Sequence, residues 1–224
     1  MTEISNIRWQ PGEAYADCAL GRFLAFCEVA DMPALHAKTA ADPAWFWDAA
    51  IRFLDVQFYE PYTQVLDMSG GIQHPKWCLN AKTNLVLNCL DKHRGTPVWG
   101  KTYLIWEGED GEKREFTYAE FDAEVCRFAG ALRAQGIGRG DVVATYIPML
   151  PEAMISLFAI LKIGAVVLPL FSGFGPEPLR VRLGDGEARA VVTADGGPRR
   201  SVPSPMKSIL DEALADCPSV EHVF

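Results

Sequence analysis

From Gly140 onward the chain alternates short apolar runs with helical stretches, and this alternation limits the fold more than any other feature. The block Gly140-Asp141-Val142-Val143-Ala144-Thr145-Tyr146-Ile147-Pro148-Met149-Leu150-Pro151-Glu152 reads as a buried strand that stops at a proline, with a helix opening at Pro151. The pattern then predicts a helix over 152–163, a strand over 165–170, a helix over 176–183, a strand over 190–193, a helix over 206–215 and a further strand from His222. Short apolar strands separated by helices imply a mostly parallel sheet covered on both faces. The expected fold is α/β: a partial doubly wound, mostly parallel sheet with flanking helices, preceded by a helical and irregular N-terminal segment.

That preceding segment divides in two. Residues 1 to about 50 read as helical: 14–29 is mostly apolar, and Asp42-Pro43 supplies an N-cap with proline at the first helical position. Trp45, Phe46, Ala49, Phe53 and Leu54 fall on one face of the helix that follows. From about Val56 to Trp99 the pattern is irregular, with loop-like Phe58-Tyr59-Glu60-Pro61-Tyr62 and Ser69-Gly70-Gly71, and a short helix over 85–90. At Lys101 the character changes. Tyr103–Trp106 and Arg114–Phe116 flank an Asp110-Gly111 turn and read as a hairpin. Thr117-Tyr118-Ala119-Glu120 is a capping box, and Tyr118, Phe121, Val125, Phe128, Ala129 and Leu132 form the apolar stripe of the next helix. The organisation expected is a wrapping segment over 1–100 and the first part of an α/β domain over 101–224. The chain ends on Glu221-His222-Val223-Phe224, inside a predicted strand, which reads as truncation.

Charge and composition exclude several functions. The 21 Lys and Arg against 29 Asp and Glu leave a net charge of −8, which argues against a nucleic-acid partner. The N-terminus lacks a basic stretch followed by an apolar one, and the run around 153–170 is broken by Ser156, Lys162, Gly164 and Pro169. Neither a signal peptide nor a membrane span is expected. The six cysteines form no CxxC pair and none has a histidine at a zinc-like offset, so reduced thiols, a cytoplasmic location and no metal site are expected. The four histidines are dispersed, and no GxxxxGK[ST] occurs. Gly136, Gly138 and Gly140 follow a helix and precede a strand, the wrong order for a dinucleotide fingerprint. No catalytic residue is assigned.

In a doubly wound sheet, ligands bind where strands end and helices begin. Two such loops stand out. Phe171-Ser172-Gly173-Phe174-Gly175-Pro176 either brings backbone amides and a helix N-terminus to an anion or is a tight turn that needs glycine. Thr193-Ala194-Asp195-Gly196-Gly197-Pro198-Arg199-Arg200 either offers two arginines to a phosphate or is a solvated basic loop.

Several segments, in order and spacing, carry a resemblance. They are Pro75-Lys76-Trp77, Asn88-Cys89-Leu90-Asp91-Lys92-His93, Trp106-Glu107-Gly108-Glu109, Phe116-Thr117-Tyr118, the Gly140–Glu152 block, Lys162-Ile163-Gly164-Ala165, Phe171-Ser172-Gly173-Phe174 and Thr193-Ala194-Asp195-Gly196. From about Val56 to Phe224 the chain resembles the acetyl-CoA synthetase branch of the AMP-forming acyl-CoA synthetases. The resemblance implies an acid–thiol ligase that joins a carboxylate to ATP, releasing pyrophosphate, and passes the acyl group to coenzyme A with release of AMP. It implies that Phe171, Ser172 and Gly173 lie against the adenine of coenzyme A and that Arg199 meets its 3′-phosphate region. The family usually has glycine where this chain has Ser172, and its second arginine falls on Val202, with Arg200 nearby. The family's phosphate loop, adenine-binding segment, ribose-binding aspartate and catalytic lysine have no counterpart here. The resemblance therefore implies an N-terminal portion, inactive alone, of an enzyme for short acids such as acetate. Coenzyme A, ATP with magnesium and the carboxylate would be its substrates, with no tightly held group and self-association left open. The competing reading is a stand-alone module that binds coenzyme A or another nucleotide without catalysis.

Overall fold

The computed structural model describes residues 16–199 and 202–224, without the side chains of 198, 199, 202 and 203. The chain divides into two compact units, Met1–Thr83 and Asn84–Phe224.

Among the described residues, the first unit contains the helices α1 (Ala19–Phe26), α2 (Met32–Ala41) and α3 (Pro43–Phe53) and a hairpin of β1 (Gln64–Asp67) and β2 (Lys76–Leu79). Asp42 caps α3 as its sequence position dictates, its Oδ1 accepting from the Trp45 amide at 3.0 Å. Phe23 sits between Phe46 and Phe53, with ring centroids 5.8 and 5.1 Å away, and Ala49 completes this small core. Leu54 departs from the expected aromatic face. It is the C-cap residue, beyond the last full helical position, and is 62% exposed. The helical reading of residues 1 to about 50 is met by α1, within the apolar 14–29 stretch, and by α2 and α3, while residues 1–15 lie outside the described residues. The stretch read as irregular contains the antiparallel β1–β2 pair, with Leu66 opposite Trp77.

The second unit opens with α4 (Leu85–Cys89), whose Val86, together with Leu90, is fully buried. The predicted hairpin is β3 (Thr102–Glu107) with β4 (Lys113–Thr117), Glu107 pairing with Lys113 across a five-residue loop. The capping box then starts α5 (Tyr118–Ala134): the Thr117 hydroxyl accepts from the Glu120 amide at 3.2 Å, and the Glu120 carboxylate accepts from the Thr117 amide at 2.8 Å. Gly136, at φ +76°, ends α5 in the left-handed conformation that lets the Ile137 amide reach back to the Leu132 carbonyl.

The sheet comprises β5 (Val142–Tyr146), β6 (Val166–Pro169), β7 (Ala190–Thr193) and β10 (His222–Val223), with α6 (Pro151–Lys162), α7 (Pro176–Asp185), β8 (Gly197–Arg199), β9 (Val202–Ser204) and α8 (Met206–Leu214) between them. Its order is β10-β7-β5-β6, and every pair is parallel. Alternate residues of one strand serve opposite faces. Val143, Ala190 and Val192 pack with α5 and α6, whereas Ala144, Tyr146 and Val191 pack with α7 and α8. Helices on both faces explain why β5 and β7 read as continuous apolar runs rather than alternating ones.

Asp122 and Ser156 are the buried polar residues among those described. Asp122 is held by Lys162 at 3.0 Å and by Arg94, while Lys162 also meets Asp91 at 2.8 Å. This cluster ties the turn after α4 to α5 and to the last residue of α6. It also accounts for the lysine of the Lys162-Ile163-Gly164-Ala165 motif.

Candidate functional site

Because the strands are parallel, the segments that leave β5, β6 and β7 emerge on one edge of the sheet. The path from β5 to β6 places α6 on one face, and the return across β5 to β7 places α7 on the other. The chain direction therefore switches between β5 and β7, where open α/β sheets form their ligand crevices.

On one side of β5 lies the turn after β6. Phe171 is 57% exposed, its ring 5.6 Å from that of Phe174 and nearly perpendicular to it. The Phe174 amide donates to the Phe171 carbonyl at 2.9 Å, which closes the turn around half-buried Ser172 and Gly173. The buried Tyr146 hydroxyl donates to the Phe174 carbonyl at 2.9 Å, and the Arg182 guanidinium lies 4.5 Å from the centre of the Phe174 ring. Gly175 then starts α7 with no side-chain cap, and Glu177 stands in its first turn.

On the other side lies the segment after β7. The sequence predicts a loop over 193–200, but Gly197–Arg199 forms β8, paired antiparallel with β9 so that Arg199 stands opposite Val202. Pro198 pairs with Pro203, and two prolines in three-residue strands conceal a hairpin in the sequence. The Arg199 backbone is thus fixed in a strand. The side chains of Arg199 and Val202, and the whole of Arg200, lie outside what the structure describes. Of the four residues named from sequence, Phe171, Ser172 and Gly173 share one turn. Arg199 belongs to a separate element at the same edge of the sheet.

A further concavity of about 470 Å³ lies on the α5–α6 face, beside the ends of β5, β7 and β10. Phe128, Ile147, Ile155, Val192 and Phe224 contribute its apolar surface. Arg114, paired with Glu152 at 2.8 Å, and Arg127, paired with Glu124, add mixed charge. No local motif could have signalled it, because each element supplies only one or a few of its residues. Among the described residues, no group of three His, Cys, Asp or Glu side chains could hold a metal ion. No described helix is long and apolar enough to cross a membrane.

Residues 91–223 match the AMP-binding enzyme family, and residues 32–89 match the acetyl-coenzyme A synthetase N-terminus family. The acetyl-coenzyme A synthetase of Gemmatimonas aurantiaca is 42% identical over 191 residues, which cover 85% of this chain and 29% of that protein. That of Mycolicibacterium smegmatis is 40% identical over 191 residues, covering 85% of this chain and 20% of the relative. Among solved structures, the acetoacetyl-CoA synthetase from Streptomyces lividans superimposes with a TM-score of 0.88 at 26% identity, over 96% of this chain and 34% of that one. The chain thus spans less than a third of the length of these curated relatives. A match over more than half of its residues, on a fold that the structure reproduces, makes this chain a member of the AMP-binding enzyme family, in its acetyl-CoA synthetase-like branch.

Proposed function

We propose that this chain is the N-terminal portion of a cytoplasmic acyl-CoA synthetase that converts a short carboxylate such as acetate, ATP and coenzyme A into acyl-CoA, AMP and pyrophosphate. Within that enzyme, these residues form a rest for the nucleotide end of coenzyme A and take no part in activating the carboxylate. Phe171, Ser172 and Gly173 receive the adenine, and Arg199 receives the 3′-phosphate region. ATP with its magnesium and the carboxylate engage other parts of the enzyme.

One observation carries this reading. The turn bearing Phe171 and the strand bearing Arg199 leave the same edge of one parallel sheet, on either side of the β5 exit. An exposed aromatic ring on one side offers a stacking surface for a base. An arginine on the other side supplies the charge-assisted bonds that a phosphate monoester needs. Ser172, where the family usually has glycine, adds a hydroxyl to the turn without abolishing the ring surface.

Calorimetric titration of the 224-residue chain with coenzyme A and with dephospho-coenzyme A tests the assignment. The expected result is binding of coenzyme A with about tenfold weaker binding once the 3′-phosphate is removed. Equal affinities would remove Arg199 from the site, and silence with both ligands would sink the rest itself. A second assay supplies acetate, ATP, magnesium and coenzyme A. No acyl-CoA is expected from this chain, and turnover would overturn the division of labour.

A further inference from the structure

We infer that the exit of β5, Tyr146-Ile147-Pro148, is the positioning element that sets where the two halves of the coenzyme A nucleotide rest; this rests on the function proposed above. Tyr146 and Pro148 are two positions apart, and each meets a different one of the two segments.

Tyr146 is fully buried, and no other side chain buried to that degree among the described residues is larger. Its ring belongs to the core beneath α7 and α8, so the hydroxyl is held on a rigid mount. That hydroxyl donates to the Phe174 carbonyl and fixes the turn in which Phe171, Ser172 and Gly173 lie. Removing the donor while keeping the ring would loosen the turn without emptying the core.

Pro148 acts on the other segment by shape. A Cβ placed on Gly197, the first residue of β8, would lie 2.8 Å from Pro148 Cγ and 3.0 Å from its Cβ. A Cβ on Gly196 would lie 2.7 Å from the Ser204 carbonyl oxygen, where β9 ends. A pyrrolidine ring cannot rotate out of the way. The two glycines therefore let the hairpin that carries Arg199 close against the β5 exit. Adding a single methyl group at Gly197 pushes β8 away from Pro148 while leaving the Phe171 turn where it is.

The two contacts are separable by ligand. In the intact 224-residue chain, Tyr146→Phe is expected to weaken coenzyme A and dephospho-coenzyme A alike, by about 3- to 10-fold, preserving their ratio. Gly197→Ala is expected to weaken coenzyme A several-fold and leave dephospho-coenzyme A nearly unchanged, so that the ratio collapses. Pro148→Ala combined with Gly197→Ala removes the nearer of the two clashing atoms and is expected to restore part of the ratio. That restoration also covers the case in which Gly197→Ala alone folds poorly. A Gly197→Ala variant that shifts both ligands by one common factor, a Tyr146→Phe variant that leaves both affinities unchanged or alters their ratio, or a double variant no better than Gly197→Ala, would overturn the positioning role. Wild-type chain that binds neither ligand would overturn the underlying site, and wild-type chain that binds both equally would remove Arg199 from it, so either failure is told apart from failure of the positioning role in the first titration.

Discussion

Lys162 and Asp122 show how a few side chains fix the packing of several elements. Burial works against the charge on Asp122, but hydrogen bonds from Arg94 and Lys162 outweigh it, and the carboxyl pKa is lowered from 3.8. Burial likewise works against charge on Lys162, but its bonds to Asp91 and Asp122 prevail, and its pKa is raised from 10.5. The signs fix the pH window. The Asp122 contribution is present above its unfolded pKa and disappears as pH falls through the lower folded value. The Lys162 contribution is present below its unfolded pKa and disappears as pH rises through the higher folded value. Lys162→Met keeps the stem but strands two carboxylates in a partly buried site, where Arg94 still reaches both, so the loss is expected to be about 2 kcal/mol, less than for a fully buried pair. Urea unfolding of both proteins tests this. The difference should be greatest near neutral pH and shrink toward both extremes, and a constant difference would show that packing alone is responsible. Glu187 presents the opposite case. It ends α7 at φ +47°, letting the Ala188 amide reach the Leu183 carbonyl in a conformation that favours glycine. Glu187→Gly is expected to stabilise the chain by about 0.5–1 kcal/mol, read as a higher urea midpoint with an unchanged slope.

At the scale of elements, α5 depends on how it starts. Thr117 and Glu120 satisfy each other's backbone and side-chain groups at its N-terminus, and the Glu120 pKa is lowered by the Thr117 amide and hydroxyl. Thr117→Ala removes one arm of the box. The expected loss is about 1 kcal/mol, with faster amide hydrogen exchange confined to the first turn of α5, whereas exchange rising evenly along the helix would point to lost packing instead. This start was legible because the cap, the glutamate and the apolar stripe all lie within a few residues. The same holds for Pro151 at α6 and for the apolar runs of β5 and β7, which are covered on both faces. The β1–β2 hairpin was not legible, because Gln64–Asp67 and Lys76–Leu79 are four residues each and neither alternates cleanly. Nor was the β8–β9 hairpin, whose paired prolines signal a loop and whose fit depends on Pro148, some fifty residues earlier. The candidate site followed the same division. The Phe171 turn could be read from its glycines and proline, whereas the roles of Tyr146 and Pro148 are set by tertiary approach, which leaves no local pattern.

At the scale of the whole molecule, the second unit contains what a fold needs to stand alone. Its two cores cover opposite faces of one sheet and draw on residues from Val86 to Phe224, whereas the aromatic core of the first unit draws on Phe23 to Phe53. The segment before β3 belongs to this architecture: Asn84 Nδ2 donates to the Leu161 carbonyl at 2.8 Å, Val86 and Leu90 are fully buried, and Asp91 and Arg94 complete the Asp122 cluster. A chain that starts at Asn84 keeps these groups, and one that starts at Lys101 loses them. The 84–224 stretch is therefore expected to unfold cooperatively in urea and to retain any preference for coenzyme A over dephospho-coenzyme A. The 101–224 stretch loses the two fully buried aliphatic side chains of Val86 and Leu90 together with Arg94, a partner of Asp122, and Asp91, a partner of Lys162; these together amount to several kcal/mol, a large part of the stability of a domain this size. It is expected to give a broad transition and expose apolar surface. Equal cooperativity in the two stretches would show that the α/β domain begins at the hairpin and that α4 is only an accessory.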